Sequence, residues 1–382
     1  MKENPIKVYL ILLILINSSF IKCSFQLSLF NQLNIKNKGI NLTISPLSIF
    51  QALSLVTNGA KGETQNELLK LLDNKNMDEI NEINLKILSQ VKDISSLEIA
   101  NAIMSKLSPL KEFTKIAKEN YSAEIQPLKN VKQINKWCDN KTHGKIKKII
   151  DGLGSNIFMI ILNAVYFKGE WVNKFNSVLT TKKIFYNHNS DQEGKLVDTM
   201  MLTKHFSYFE DSNLQAVELP YQKDFMSALV ILPNKKVDIN ECINLFERDN
   251  EYIYSIIENM KYSKVRIEMP KFEITHKESL KQTLKNMGVN LAFEPKADFS
   301  NIRNQNDLLI DDVIQKTFLK VNEKGTEAAA VTAVVMLNMA MIPIKEMIYN
   351  MIVNRPFLFI IRNKKLPKNY DIIFISKIEQ LN

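Results

Sequence analysis

The sequence predicts an α+β fold with large sheets, and three observations carry that prediction. Residues 157–167 (IFMIILNAVYF) form an apolar run interrupted only by Asn163, which suits a strand buried on both faces. The first half carries helix-start signals followed by apolar residues at helical spacing. The second half carries short apolar segments, three of them punctuated by Pro220, Pro233 and Pro270, as strands ending in turns are.

The elements follow in order. Ser45-Pro46 predicts an N-cap with proline at the first helical position. Ile49, Ala52, Leu53 and Val56 then recur at helical spacing, and Asn58-Gly59 ends the helix. Thr64 and Glu67 predict a capping box before Leu68, Leu71 and Leu72. Val131, Ile134 and Cys138 predict another amphipathic helix, with Trp137 beside its seam. The buried Asn163 needs partners, because an unpaired amide costs on the order of 1–3 kcal/mol. Strands are predicted at 214–219, 226–232, 264–269, 313–322, 356–361 and 371–378. Helices are predicted over much of the first half and within 240–260 and 277–288.

With 382 residues, 45% hydrophobic and 24% charged, the chain has material for a large core and no disordered composition. Lys2 and Lys7, the apolar run 8–16, and Asn17, Ser18 and Ser19 have the anatomy of a secretory signal peptide. We therefore expect a signal at 1–23, one domain at 24–382, and a secreted, extracellular product. Cys23, Cys138 and Cys242 have no framework or metal-site spacing, and the four histidines have no ligand-like spacing either. Neither a metal nor a cofactor is expected. No Ser/His/Asp or Cys/His constellation can be assembled, so no enzyme is predicted.

The net charge is +9; residues 1–23 carry Lys2, Lys7 and Lys22 against Glu3, which leaves +7 for the rest. Scattered surface lysines explain that value, and a glycosaminoglycan is the anionic partner it would suit. The densest cluster is Lys141, Lys145, Lys147 and Lys148. It lacks interleaved aromatics, so nucleic acid is not indicated.

Residues 323–342 (EKGTEAAAVTAVVMLNMAMI) hold the functional question. Periodicity alone leaves three readings open: a buried helix, a short membrane segment or an aggregation-prone strand.

Resemblance decides among them. Residues 41–64 (NLTISPLSIFQALSLVTNGAKGET), 134–150 (INKWCDNKTHGKIKKII), 161–175 (ILNAVYFKGEWVNKF), 269–272 (MPKF), 354–362 (NRPFLFIIR) and 322–332 (NEKGTEAAAVT) occur in one order. In that order the chain resembles the serpin family of protease inhibitors from about 25 to 380. The resemblance implies three β-sheets, eight or nine helices and an exposed reactive-centre loop at about 323–353. It implies a monomer whose partner is an extracellular serine protease, held in a covalent complex. The protease cleaves the loop, and the freed loop enters the main sheet as a strand before the acyl-enzyme hydrolyses. About 14 residues at roughly 3.3 Å each carry the enzyme about 46 Å.

In this resemblance Glu323, Gly325, Thr326, Glu327, Ala328, Ala329, Ala330 and Thr332 form the hinge. Gly325 has the torsional freedom of a turning point. Thr326, Ala328, Ala330 and Thr332 alternate onto one face, to be buried after insertion, with Glu327 on the other. Ser45, Ser48, Asn163, Trp171 and Gln315 match positions that control sheet opening. Gln315 stands where the family often has histidine, and it too can donate and accept. Val331 and Ser376 depart further from the usual small residues.

The reactive bond expected sixteen residues after Glu323 is Met339–Ala340, implying chymotrypsin-like, cathepsin G-like or elastase-like targets. Counting back from Asn354-Arg355-Pro356 favours a site near Lys345 and a trypsin-like target, and Leu337 is a third candidate. A non-inhibitory binding or carrier protein is the alternative function. Asn120 and Asn140 are the better glycosylation candidates, and Asn41 a poor one.

Overall fold

The computed structural model describes residues 24–382 except 74–75, 92–93, 95–96, 155, 191–193, 223–224, 306 and 327–345. The expected signal at 1–23 therefore lies outside the described residues. So do Glu327, Ala328, Ala329, Ala330, Thr332, Leu337, Met339, Ala340 and Lys345.

Nine α-helices and sixteen strands occur among the described residues. The chain opens with α1 (Phe25–Lys36), β1 (Leu42–Ile44), α2 (Pro46–Gly59), α3 (Gly62–Leu71) and α4 (Met77–Val91). It continues with β2 (Leu97–Ser105), α5 (Lys111–Tyr121), β3 (Glu124–Pro127) and α6 (Val131–Lys141). Then come β4 (Met159–Phe167), β5 (Gly169–Glu170), β6 (Thr181–Tyr186), β7 (Gly194–Glu210), β8 (Leu214–Pro220) and β9 (Met226–Pro233). After α7 (Ile239–Arg248) and α8 (Asn250–Glu258) follow β10 (Lys261–Pro270), β11 (Phe272–Ser279) and α9 (Lys281–Asn286). The last strands are β12 (Asp312–Asn322), β13 (Gly325–Thr326), β14 (Tyr349–Ile352), β15 (Phe357–Asn363) and β16 (Ile372–Ile378).

The strands form two hydrogen-bonded sheets. One runs β1-β16-β15-β9-β8-β7-β10-β14, with β6 also on β7. The 17-residue β7 joins the β10 side of this sheet to the β8 side, so two of the three expected sheets are continuous through it. The second sheet runs β3-β2-β4-β12-β13-β5, with β11 on β12. Its centre is the parallel pair of β4 and β12, in register from Ile160↔Asp312 to Tyr166↔Phe318.

The apolar run predicted to be a doubly buried strand is β4, buried at every position. Strand alternation divides its side chains. Met159, Ile161, Val165 and Phe167 join the main core. Ile160, Leu162, Ala164 and Tyr166 join a smaller cluster under α6, with Ile134, Trp137 and Cys138 from the helix and Ile314 and Phe318 from β12. Trp137 thus belongs to the buried face of α6.

Three local expectations are corrected. Thr64 and Glu67 form no capping box: α3 begins after Lys61. The Thr64 hydroxyl instead accepts from the Asp298 amide, and the Glu67 carboxylate from the Asn290 and Leu291 amides. Ser45 occupies the N-cap position of α2 with Pro46 behind it, but its side chain makes no cap bond. Residues 97–105, inside the region expected to be mainly helical, form β2, because one edge pairs with β4 along its whole length. The helix expected within 277–288 is Lys281–Asn286, starting there because β11 runs to Ser279 along β12.

Candidate functional site

Two neighbouring groups of residues make up the site. The first is a row of polar side chains across the β2-β4-β12 seam. Asn101, Asn163 and Gln315 are register partners on these strands. Their side chains face the core and are nearly inaccessible to solvent. Asn163 Nδ2 donates to Asn101 Oδ1 at 2.6 Å and to the hydroxyl of Ser48 on α2. Asn163 Oδ1 accepts from Gln315 Nε2 at 2.5 Å. Gln315 also donates to the Ser45 carbonyl at 3.1 Å and accepts from the Ser45 amide at 2.9 Å. The network needs a side chain that both donates and accepts at position 315, and glutamine supplies both functions. Ser45 takes part through its backbone, Ser48 through its hydroxyl.

The second group surrounds the end of β12. After Asn322 the chain turns at Glu323 and Lys324, and Gly325 and Thr326 come back as β13. This two-residue strand is antiparallel to β12 on one side and to β5 on the other. Gly325 has φ +151°, and a Cβ there would lie 1.9 Å from the Gly169 carbonyl oxygen. Only glycine allows that approach. Thr326 is fully buried, and its hydroxyl meets the Tyr221 hydroxyl at 2.7 Å. Tyr221 in turn stacks on Trp171, with ring centroids 4.4 Å apart.

Trp171 ties the turn down. Its indole N–H donates to the Asn322 carbonyl at 3.0 Å, and its backbone amide to the Lys324 carbonyl at 2.9 Å. The Phe175 amide donates to the Glu323 carbonyl at 2.8 Å. The Glu323 carboxylate accepts from Thr180 at 2.8 Å and pairs with Lys271 at 3.2 Å. Partial burial pushes the Glu323 carboxyl up, but its own backbone amide, Thr180 and Lys271 outweigh this and hold it below the usual carboxylate range.

The structure thus gathers Ser45, Ser48, Asn163 and Gln315 into one network, and Glu323, Gly325, Thr326 and Trp171 into another. Four participating side chains were not singled out from sequence: Asn101, Thr180, Tyr221 and Lys271. Asn101 carried a weak signal, as a polar residue within the apolar-rich segment 97–105. Lys271 lies in the family-like segment 269–272, whereas Tyr221 carried no signal beyond following Pro220 and Thr180 none.

The other candidates sit outside these groups. Asn41 is engaged by the Gln380 carbonyl and by the Glu379 and Gln380 amides. Asn120 is half-buried near the end of α5, and Asn140 is exposed on α6. Lys141 pairs with Glu124 and Lys148 with Asp151. Cys138 and Cys242 are buried, and burial pushes each thiol up to about 12. Among the described residues no helix is long and apolar enough to cross a membrane.

Comparisons with known proteins agree with this architecture. The family model described as serpin (serine protease inhibitor) matches residues 21–380. Intracellular coagulation inhibitor 2 of Tachypleus tridentatus is 32% identical, over 90% of this chain and 87% of that protein. Leukocyte elastase inhibitor of Xenopus laevis is 33% identical, over 89% of this chain and 93% of that protein. Serpin48 of the insect Tenebrio molitor superposes with a TM-score of 0.81 at 29% identity, covering 94% of this chain and 96% of that one. Human thyroxine-binding globulin, solved with its hormone, superposes at 0.83 with 25% identity, covering 94% and 97%.

Proposed function

The chain belongs to the serpin family, a family of protease inhibitors, and from that premise we propose that it is a secreted suicide inhibitor of serine proteases. The observation that supports this reading is the placement of Gly325 and Thr326. They pair antiparallel with β12 and with β5, as the first two residues of a strand between them would.

Insertion would extend that strand. Thr326 faces the core, so in a continued strand periodicity would turn Ala328, Ala330 and Thr332 inward as well and Glu327 outward. Small inward residues enter a seam at low steric cost. Each step replaces parallel β4–β12 pairing with two antiparallel ladders, and parallel pairing is slightly the less stable per residue. The seam network must break for the strand to pass Asn163. Relaxation therefore waits until the loop is cut and its tether released.

Under this reading the protease serine attacks the Met339 carbonyl, Ala340 leaves as the new amino terminus, and the acyl-enzyme is carried along with the inserting segment. Met339 suits a protease with an apolar primary pocket; a bond near Lys345 would suit a trypsin-like one. The test is incubation with chymotrypsin, elastase and trypsin, followed by denaturing electrophoresis and mass spectrometry of the released C-terminal peptide. A covalent complex and a peptide beginning at Ala340 are expected. Loop cleavage by all three enzymes without any complex would overturn inhibition.

A second reading, a carrier protein, is favoured by the likeness to hormone-bound thyroxine-binding globulin. Heat stability separates the two. An inhibitor gains a core strand on loop cleavage and unfolds at higher temperature; a carrier with an inert loop does not.

A further inference from the structure

The lysines at 145, 147 and 148 take no part in the two networks above. They lie in the segment after α6, where Ile146, Ile149 and Ile150 pack into the smaller cluster with Phe318 and leave these lysines exposed. Two further lysines reach the same place from the sheet. Lys316 of β12 and Lys277 of β11 are antiparallel register partners, so their side chains stand side by side on the face that carries Ile314 and Phe318. Like charges directly opposite one another destabilise a sheet.

The contacts bring the two groups together. Lys316 Nζ donates to the Lys148 carbonyl, and Lys145 Nζ lies 6.0 Å from the centre of the Phe318 ring. The exposed Asp151 carboxylate stands among them, 2.6 Å from Lys148 Nζ and 3.4 Å from Lys277 Nζ. Burial, and then the charges of Lys277 and Lys148, hold Lys316 below the usual lysine range. Positive charge is thus concentrated here beyond what Asp151 neutralises.

We propose that Lys148, Lys277 and Lys316 bind a compact anion carrying several phosphate groups, with Lys145 and Lys147 at the rim. Compactness follows from the arrangement: lysines from three chain segments converge on one place around Asp151, whereas an extended polyanion needs a row. Lysine serves phosphate as a point charge. The anion takes the position that Asp151 now fills, and the exposed Asp151 side chain turns to water. Binding offsets the repulsion between Lys277 and Lys316, joins the segment after α6 to β11 and β12, and stabilises the folded protein by mass action. The site is separate from the reactive loop and does not depend on inhibition.

The probe is tripolyphosphate in magnesium-free buffer, titrated calorimetrically into the full chain, with orthophosphate for comparison. Tripolyphosphate is expected to bind roughly tenfold more tightly than orthophosphate, the worth of one further charge-assisted contact. Lys277→Gln is expected to weaken tripolyphosphate roughly tenfold and to keep the parental unfolding temperature, since the like-charge pair goes with it. Asp151→Asn is expected to tighten binding, because a competing negative charge is gone. Lys236→Gln, at a lysine exposed in the turn before α7, is expected to change nothing. Parental affinity in Lys277→Gln, or an equal loss in Lys236→Gln, overturns the site. Weaker binding by Asp151→Asn overturns the placement of the anion at that carboxylate. If tripolyphosphate fails to bind while a heparin-derived hexasaccharide binds and needs Lys277, the compact anion is overturned in favour of an extended chain.

Discussion

Gln315 Nε2 donates to Asn163 Oδ1 at 2.5 Å, directly across the seam where β12 and β4 run parallel. The two residues are register partners, so the bond cannot survive a strand placed between them. Under the proposed mechanism it stabilises the closed sheet and not the opened one.

Gln315→Ala is expected to lower the stability of the intact protein by about 3 kcal/mol, because Asn163 Oδ1 and the Ser45 amide lose buried partners. The loop-cleaved form should lose much less. Urea unfolding of both forms makes the comparison; equal losses in the two would show that the bond is not specific to the closed seam.

Gly325→Ala places a Cβ 1.9 Å from the Gly169 carbonyl oxygen in a backbone conformation that side chains rarely adopt. We expect β13 to detach, with faster amide exchange at 325–326, and inhibition to slow. Thr326→Arg goes further, since a cation next to Tyr221 would be buried without a partner. Cleavage of the loop should continue at the parental rate, with product released in place of a covalent complex. Undiminished inhibition by Thr326→Arg is the result that contradicts strand insertion.

The turn at Glu323 should loosen in acid. Its carboxyl is held below the ordinary glutamate value of 4.5, so the stabilisation is present above that pH and is lost as pH falls through the folded value. Trp171, bonded to Asn322 and Lys324, reports the change through its fluorescence. A red shift centred below pH 4.5 is expected, with its midpoint raised in Lys271→Met and the transition absent in Glu323→Gln. A Glu323→Gln protein that titrates like the parent would assign the transition to another group.

Mild peroxide should weaken inhibition of enzymes with apolar primary pockets, because sulfoxide makes Met339 polar. Met339→Leu should inhibit them and resist the treatment. An equal loss in both proteins would assign the effect to another methionine.

Much of the fold was legible in the residues because its signals are local. The unbroken apolar character of 157–167 marked β4, and the spacing of Ile49, Ala52, Leu53 and Val56 marked α2. The joint order of several motifs identified the family, and with it Gln315, Asn163, Gly325 and Thr326 as residues to watch. Sequence by itself thus determined several of the strands, which of their faces are apolar and which segment should carry the function. Only tertiary structure decided that Thr64 and Glu67 bind distant amides and form no cap, that Ser45 acts through its backbone, and that Asn101 and Tyr221 complete the two networks. The physical reason is range: periodicity and capping depend on residues a few positions apart, whereas Tyr221 and Thr326 meet across 105 positions.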